Sequence, residues 1–286
     1  MNPLRFKQVD VFTRTPFLGN PVAVVLDAEK LADEEMQRIA AWTNLSETTF
    51  VLPPSSSAAD YRLRIFTPRQ ELPFAGHPTI GSAHAVIESG FAAANNGRLR
   101  QECLAGLIEI AIESGQDGKL IFIRAPHPKI SAIDPAQAER LAATLGAAQT
   151  PPPLRVDVGV VWLIVELSDA RAVDGAAPDL NAILKLSEET HSAGVTIFGR
   201  AAGTDLHVRS FAPALGVPED PVCGSGNASV AAYLIHNRLL AEKARYQVRQ
   251  GMNVGRAGRV SVRVEGNEIY FGGPAVTCVE GNLRVA

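Results

Sequence analysis

The chain has 286 residues, of which 46% are apolar and 20% charged, and a net charge of −3 at pH 7. Such a composition forms a packed core and excludes a disordered chain, and its length allows two lobes or one large domain. There is no bulk positive field to hold nucleic acid or an anionic membrane. The N-terminus lacks a signal-peptide apolar core, and the longest strongly apolar stretch, 158–165, is too short to span a bilayer.

The alternation of Phe6–Thr13 predicts a strand, Phe17–Pro21 a turn and Val22–Leu26 a short buried strand. Asp33, Glu34 and Glu35 place acid at a helix start. Met36, Ile39, Ala40 and Thr43 then follow helical spacing, so a helix runs to about Asn44. Phe50–Leu52 and Tyr61–Thr67 read as strands around a Pro/Ser loop, and Thr79–Gly90 as a helix of small and apolar residues after Pro78. Leu107–Ile112 and Lys119–Arg124 pair around Gln116-Asp117-Gly118. The break at Ala125–Pro128 separates an N-terminal lobe, 1–125, from a C-terminal lobe, 126–275. In the second lobe, Pro135–Leu145 is a helix ended by Gly146, Gly159–Leu167 a strand and Asp179–His191 a helix. Val195–Phe198 and Leu206–Phe211 are strands, Gly224–Leu240 is a long helix of small residues, and short strands with glycine turns follow from Tyr246.

The halves repeat. Phe66-Thr67-Pro68 through Pro73 matches Phe211-Ala212-Pro213 through Pro218, and at the same register Gly81 and Ala83 match Gly226 and Ala228. Each copy is a strand, a proline-containing loop, a glycine-rich turn and a small-residue helix, which implies two pseudo-symmetric lobes. Each turn delivers a helix N-terminus with unpartnered N–H groups, suited to a carboxylate. No phosphate-binding or dinucleotide-binding glycine motif is present.

Several residues read as structural when taken alone. Glu47 is an exposed loop glutamate. His77 is a turn histidine, Asp220 a turn and helix-capping residue, and Gly224-Ser225-Gly226 a close-packing segment. Cys103, Cys223 and Cys278 are odd in number and widely spaced, which excludes a disulfide framework or zinc site and points to a reduced, cytoplasmic protein. Cys223 alone has motif-like surroundings: it is a small buried residue, or a thiol activated by a helix N-terminus. The six histidines show no ligand spacing, so no metal is expected. The arginines of 245–263 alternate with apolar residues, as solvated strand faces do, which argues against nucleic-acid contact.

The stretches GNPVAVV (19–25), NLSETTFV (44–51), FTPRQELPFAGHPTIGSAH (66–84), EDPVCGSGNASVAAYL (219–234) and RQGMNVGR (249–256) together resemble the phenazine-biosynthesis PhzF-like family of the diaminopimelate-epimerase-like fold. The resemblance implies an α+β protein of two pseudo-symmetric lobes. Each is a barrel-like, mostly antiparallel eight-stranded sheet around a central helix, with the last strand, about 276–286, returning to the first lobe. It also implies a site between the lobes and a homodimer. By the same resemblance Glu47 is the acid/base, His77 holds and polarises the substrate, and the N–H groups of Gly76 and His77 bind an anion. Asp220 contacts substrate or relays a proton, and Gly224 and Ser225 stabilise an enolate-like oxygen. Cys223 departs from the pattern: phenazine-pathway members often have Thr there, whereas related epimerases place a catalytic thiol in such a turn. The first half offers Gly76-His77-Pro78-Thr79 and no cysteine, which argues against a two-thiol racemase. The expected function is a cofactor-independent isomerase acting on a small carboxylate-bearing substrate. An amino-acid epimerase or racemase using Cys223 and a non-catalytic carboxylate binder are the alternatives.

Overall fold

The computed structural model describes residues 3–115, 118–146, 151–201, 205–241 and 243–285. The chain forms two compact units that divide between Ile123 and Arg124 and again between Phe271 and Gly272. The class is α+β, dominated by strands, and no helix among the described residues is long and apolar enough to cross a membrane.

The first part of the chain runs β1 (Leu4–Val11), β2 (Asn20–Val25), α1 (Asp33–Thr43), β3 (Thr48–Leu52), β4 (Tyr61–Phe66), β5 (Glu71–Leu72), α2 (Gly76–Glu88), β6 (Arg98–Cys103), β7 (Gly106–Gly115) and β8 (Gly118–Arg124). The second part runs β9 (Lys129–Ala132), α3 (Pro135–Leu145), β10 (Leu154–Asp157), β11 (Val161–Glu166), α4 (Ala170–Gly175), α5 (Leu180–Thr190), β12 (Gly194–Arg200) and β13 (Leu206–Ala212). It continues with β14 (Val217–Asp220), α6 (Gly224–His236), β15 (Lys243–Gln250), β16 (Gly258–Glu265) and β17 (Glu268–Gly273). The final strand, β18 (Ala275–Leu283), lies antiparallel to β1 in the first unit.

The two units share a pairing pattern. In the first, β18, β1, β2, β3, β4, β6 and β7 lie side by side, parallel only at β2/β3 and β4/β6. In the second, β9, β10, β11, β12, β13, β15 and β16 follow the same sequence, parallel only at β11/β12 and β13/β15. The sheets are not closed barrels. Each unit has one almost wholly buried helix, α2 or α6. Separate apolar clusters lie beneath the outer helices: Met36, Ala40, Phe50 and Phe66 beside α1, and Leu141, Val173, Ile183 and Phe211 beside α3, α4 and α5.

A charged clamp repeats as well. Arg64 Nε and Nη2 donate to Glu71 at 2.7 and 2.6 Å, and its guanidinium lies 5.1 Å from the Phe66 ring centre. Arg209 Nε and Nη2 donate to Glu219 at 2.9 Å, with Phe211 at 4.9 Å. A bidentate, partly desolvated pair over a ring fixes the returning strand in each unit. The matched register holds through these strands but not into the helices. Phe66 to Gly76 is ten positions and Phe211 to Gly224 thirteen, because a 3-10 turn over Pro213–Leu215 lengthens the second connection.

Three other boundaries differ from the sequence reading. Helix α2 starts at Gly76, not after Pro78, since proline is tolerated in a first turn whose N–H groups need no intrahelical acceptor. Helix α6 ends at His236, not Leu240. Arg238 adopts φ 58°, and Leu239 N–H closes back on Leu234 O at 2.8 Å. The apolar run from Val158 contains a hairpin turn: Gly159 sits at φ 87° between Asp157 and Val161, so the strand expected from Gly159 starts only at Val161, as β11. Gln116 and Asp117 of the expected first-lobe turn lie outside the described residues.

The central helices approach their strands through glycine. A Cβ on Gly81 would lie 2.4 Å from Val22 Cγ1 and 2.9 Å from Val11 Cγ2, and both valines are fully buried. Gly81→Ala should therefore lower stability by about 1–3 kcal/mol, read as a reduced denaturant midpoint at unchanged m-value.

Candidate active site

The sequence-predicted residues fall into two groups. Glu47, Gly76 and His77 come together in the first unit, and Asp220, Cys223, Gly224 and Ser225 in the second.

In the first group, helix α1 stops where Asn44 takes a left-handed conformation, φ 55°. The chain then enters β3, whose Thr48 pairs in parallel with Ala23. Ala23 N–H donates to Glu47 O at 3.4 Å, the Thr43 and Thr48 hydroxyls lie 2.6 Å apart, and the Thr49 hydroxyl meets Ser82 of α2 at 2.8 Å. The two threonines of the Ser-Glu-Thr-Thr run thus pin the Glu47 backbone between α1 and α2. Its side chain is 16% exposed, and Oε2 stands 3.4 Å from His77 Nε2. His77 is the second residue of α2, whose N-cap is Ala75, a residue with no side-chain oxygen to cap the helix. Burial pushes the Glu47 carboxyl up from 4.5 to about 7, against a smaller opposing effect of the Ser46 side chain.

In the second group, Asp220 Oδ1 accepts Val222 N–H at 3.0 Å, which shapes the turn into α6. Cys223 is the N-cap, its sulfur accepting Gly226 N–H at 3.3 Å. Of the two readings of this thiol, the structure favours the small buried residue over one activated by the helix terminus. Complete burial, with Asp220 adding to it, raises its pKa far above the ordinary value, so Cys223 is a neutral cap at pH 7. Gly224 is required by packing, since a Cβ there would lie 2.6 Å from the Phe271 ring. The Ser225 hydroxyl accepts Trp162 Nε1–H at 3.0 Å and lies 3.6 Å from Cys223 Sγ.

Sequence reasoning missed the residues that hold these turns. Asn227 Nδ2 donates to Cys223 O and to Gln250 Oε1, both at 2.8 Å, and Gln250 Nε2 donates to Asp220 O at 3.2 Å. The first unit repeats the device at the same helical position: Gln101 Nε2 donates to Thr79 Oγ1 at 3.2 Å, and Gln101 Oε1 accepts Tyr61 O–H at 2.8 Å. The signal that could have found them was the RQGMNVGR stretch, where Gly251 sits at φ 100° and a Cβ would lie 2.5 Å from Pro221 O. All three cysteines are free, and no three His, Cys, Asp or Glu side chains gather as a metal-holding group among the described residues.

The family model for phenazine biosynthesis-like proteins matches residues 9–281. The chain belongs to the PhzF family. It is 42% identical to antisense-enhancing sequence 1 of Schizosaccharomyces pombe, over 96% of this chain and 97% of that protein. It is 36% identical to the trans-2,3-dihydro-3-hydroxyanthranilate isomerase of Pseudomonas aeruginosa, over 92% and 91%. The crystal structure of a PhzF-family phenazine biosynthesis protein from Bacillus anthracis covers both chains completely with a TM-score of 0.88 at 29% identity. This PhzF-family protein is an enzyme of the isomerase class.

The Glu47 environment makes stability depend on pH. Its pKa is higher folded than unfolded, so the native state holds the extra proton between about 4.5 and about 7 and loses stability as pH rises through that window. Glu47→Gln should match wild type near pH 4 and exceed it by roughly 3 kcal/mol at pH 8, as read by denaturant unfolding at both pH values.

Proposed function

We propose that this isomerase moves a proton between carbons of a small, unsaturated, carboxylate-bearing substrate, with Glu47 as its single acid and base and without a cofactor. The observation that carries the reading is the desolvated Glu47 carboxyl, titrating near 7 and facing His77 across 3.4 Å. A carboxylate with that affinity takes a proton from carbon, holds it, and returns it from the same side chain to another carbon on the same face of the substrate. The His77 ring orients the Glu47 carboxyl and polarises the substrate, and the first N–H groups of α2 receive an anionic oxygen. Gly224 N–H and the Ser225 hydroxyl stabilise the negative charge that develops as the C–H bond breaks, and Asp220 contacts the substrate. The substrate class rests on the Pseudomonas aeruginosa relative, named for trans-2,3-dihydro-3-hydroxyanthranilate.

This reading is favoured over a thiol epimerase by Cys223 itself. Its thiol is buried and held protonated, and the matching turn of the first unit carries His77 and Thr79 with no thiol. A homodimer belongs to the same proposal, and light scattering should return twice the 30.4 kDa chain mass.

With trans-2,3-dihydro-3-hydroxyanthranilate as substrate, kcat/KM should fall about tenfold for each pH unit below about 7, where Glu47 is protonated before substrate arrives. Glu47→Gln should lose about 10³-fold or more in kcat, and Cys223→Ala far less. The opposite ranking of the two variants would support the thiol reading instead.

A further inference from the structure

The chain has two tryptophans. Trp42 is exposed on α1, whereas Trp162 is buried at the start of β11, the strand against which α6 packs. Trp162 Nε1 donates to Ser225 Oγ at 3.0 Å. An indole N–H only donates, while a serine hydroxyl both donates and accepts. Toward Trp162, Ser225 is therefore fixed as the acceptor, and its own proton must point elsewhere. Among the described residues it also lies 3.6 Å from Cys223 Sγ, a weak acceptor that already receives Gly226 N–H.

We propose that Trp162 is a positioning residue that commits the Ser225 hydroxyl to donating its proton to an anionic oxygen of the substrate. The proposal rests on the role given to Ser225 above. Trp162 polarises that hydroxyl by donating to its oxygen and, being locked in the sheet, holds it in one orientation. Replacing the indole removes the constraint without touching substrate: Ser225 then turns to satisfy itself locally, and its donation at the moment of charge development is lost.

Two measurements test this. In a Trp42→Phe protein, Trp162 is the sole tryptophan fluorophore. Ser225→Ala should shift its emission to shorter wavelength, because the indole N–H loses its partner, whereas Ser225→Thr should leave the emission in place. Unchanged emission in the Ser225→Ala protein would overturn the proposal. In turnover of trans-2,3-dihydro-3-hydroxyanthranilate, Trp162→Phe and Ser225→Ala should each lower kcat by about tenfold with little change in KM. The double variant should be no slower than Ser225→Ala alone. Trp162→His, which keeps a ring N–H, should recover part of the loss. Multiplying losses, or a Trp162→Phe protein that folds and turns over like wild type, would overturn the positioning role. If the wild type leaves this compound unchanged, the functional reading fails, and the fluorescence comparison alone decides whether Trp162 holds Ser225.

Discussion

A helix enclosed by strands has no solvent face, and that constraint organises each unit. In α2 every residue from His77 to Val86 except His84 is buried, and in α6 an unbroken buried run extends from Gly226 to Leu234. Only small residues let strands close around a helix at such distances, hence Gly81, Ser82 and Ala83 in one and Gly226, Ala228 and Ser229 in the other. The same enclosure governs the polar groups at each helix start. Buried hydrogen-bonding groups need partners, and Gln101 and Gln250 supply them to Thr79 and Asn227 from within the neighbouring strands. It also strips water from any acid beside the first turn. The burial that sets the composition of α2 is thus also what raises the Glu47 carboxyl toward neutrality.

The scaffold is used twice and its chemistry once in each form. The strand order, the Arg–Glu clamps and the buried glutamines recur, whereas the residues at the helix starts differ. The N-cap is Ala75 in one unit and Cys223 in the other, and the second helical residue is His77 in one and Ser225 in the other. The first sets a buried carboxyl, Glu47, beside the His77 ring. The second offers neutral donors, with a thiol too buried to ionise.

The sequence showed the helices and central strands clearly wherever periodicity was strong and ends were marked, as with α1 at Asn44 and α3 at Gly146, both left-handed caps. It showed less where local signals conflicted. The two-residue β5 is too short to alternate. Strands β9 and β10 flank proline-rich segments, and their pairing with each other is long-range. Gly159 inside an apolar run concealed a hairpin, and Arg238 ended α6 without a glycine. Among the proposed site residues, Glu47 and His77 were legible only through their motif neighbours. Trp162, Asn227 and Gln250 were not, because their roles arise from hydrogen bonds spanning 63 positions in one case and 23 in another. The two readings of Cys223 could not be separated without the fold, because burial, which sequence does not display, outweighs the helix terminus.

The claim on which the rest stands is that one enclosed carboxyl carries the migrating hydrogen. Its most direct test is to run the reaction on trans-2,3-dihydro-3-hydroxyanthranilate in D2O and locate the label by NMR. Wild type should deliver the migrating hydrogen to a single carbon of the product, with deuterium at that carbon in the fraction of turnovers in which the Glu47 carboxyl exchanges with solvent while it holds the hydrogen, and the Glu47→Gln protein should show neither product nor labelled substrate. Labelling by the Glu47→Gln protein at the wild-type rate and position would contradict it.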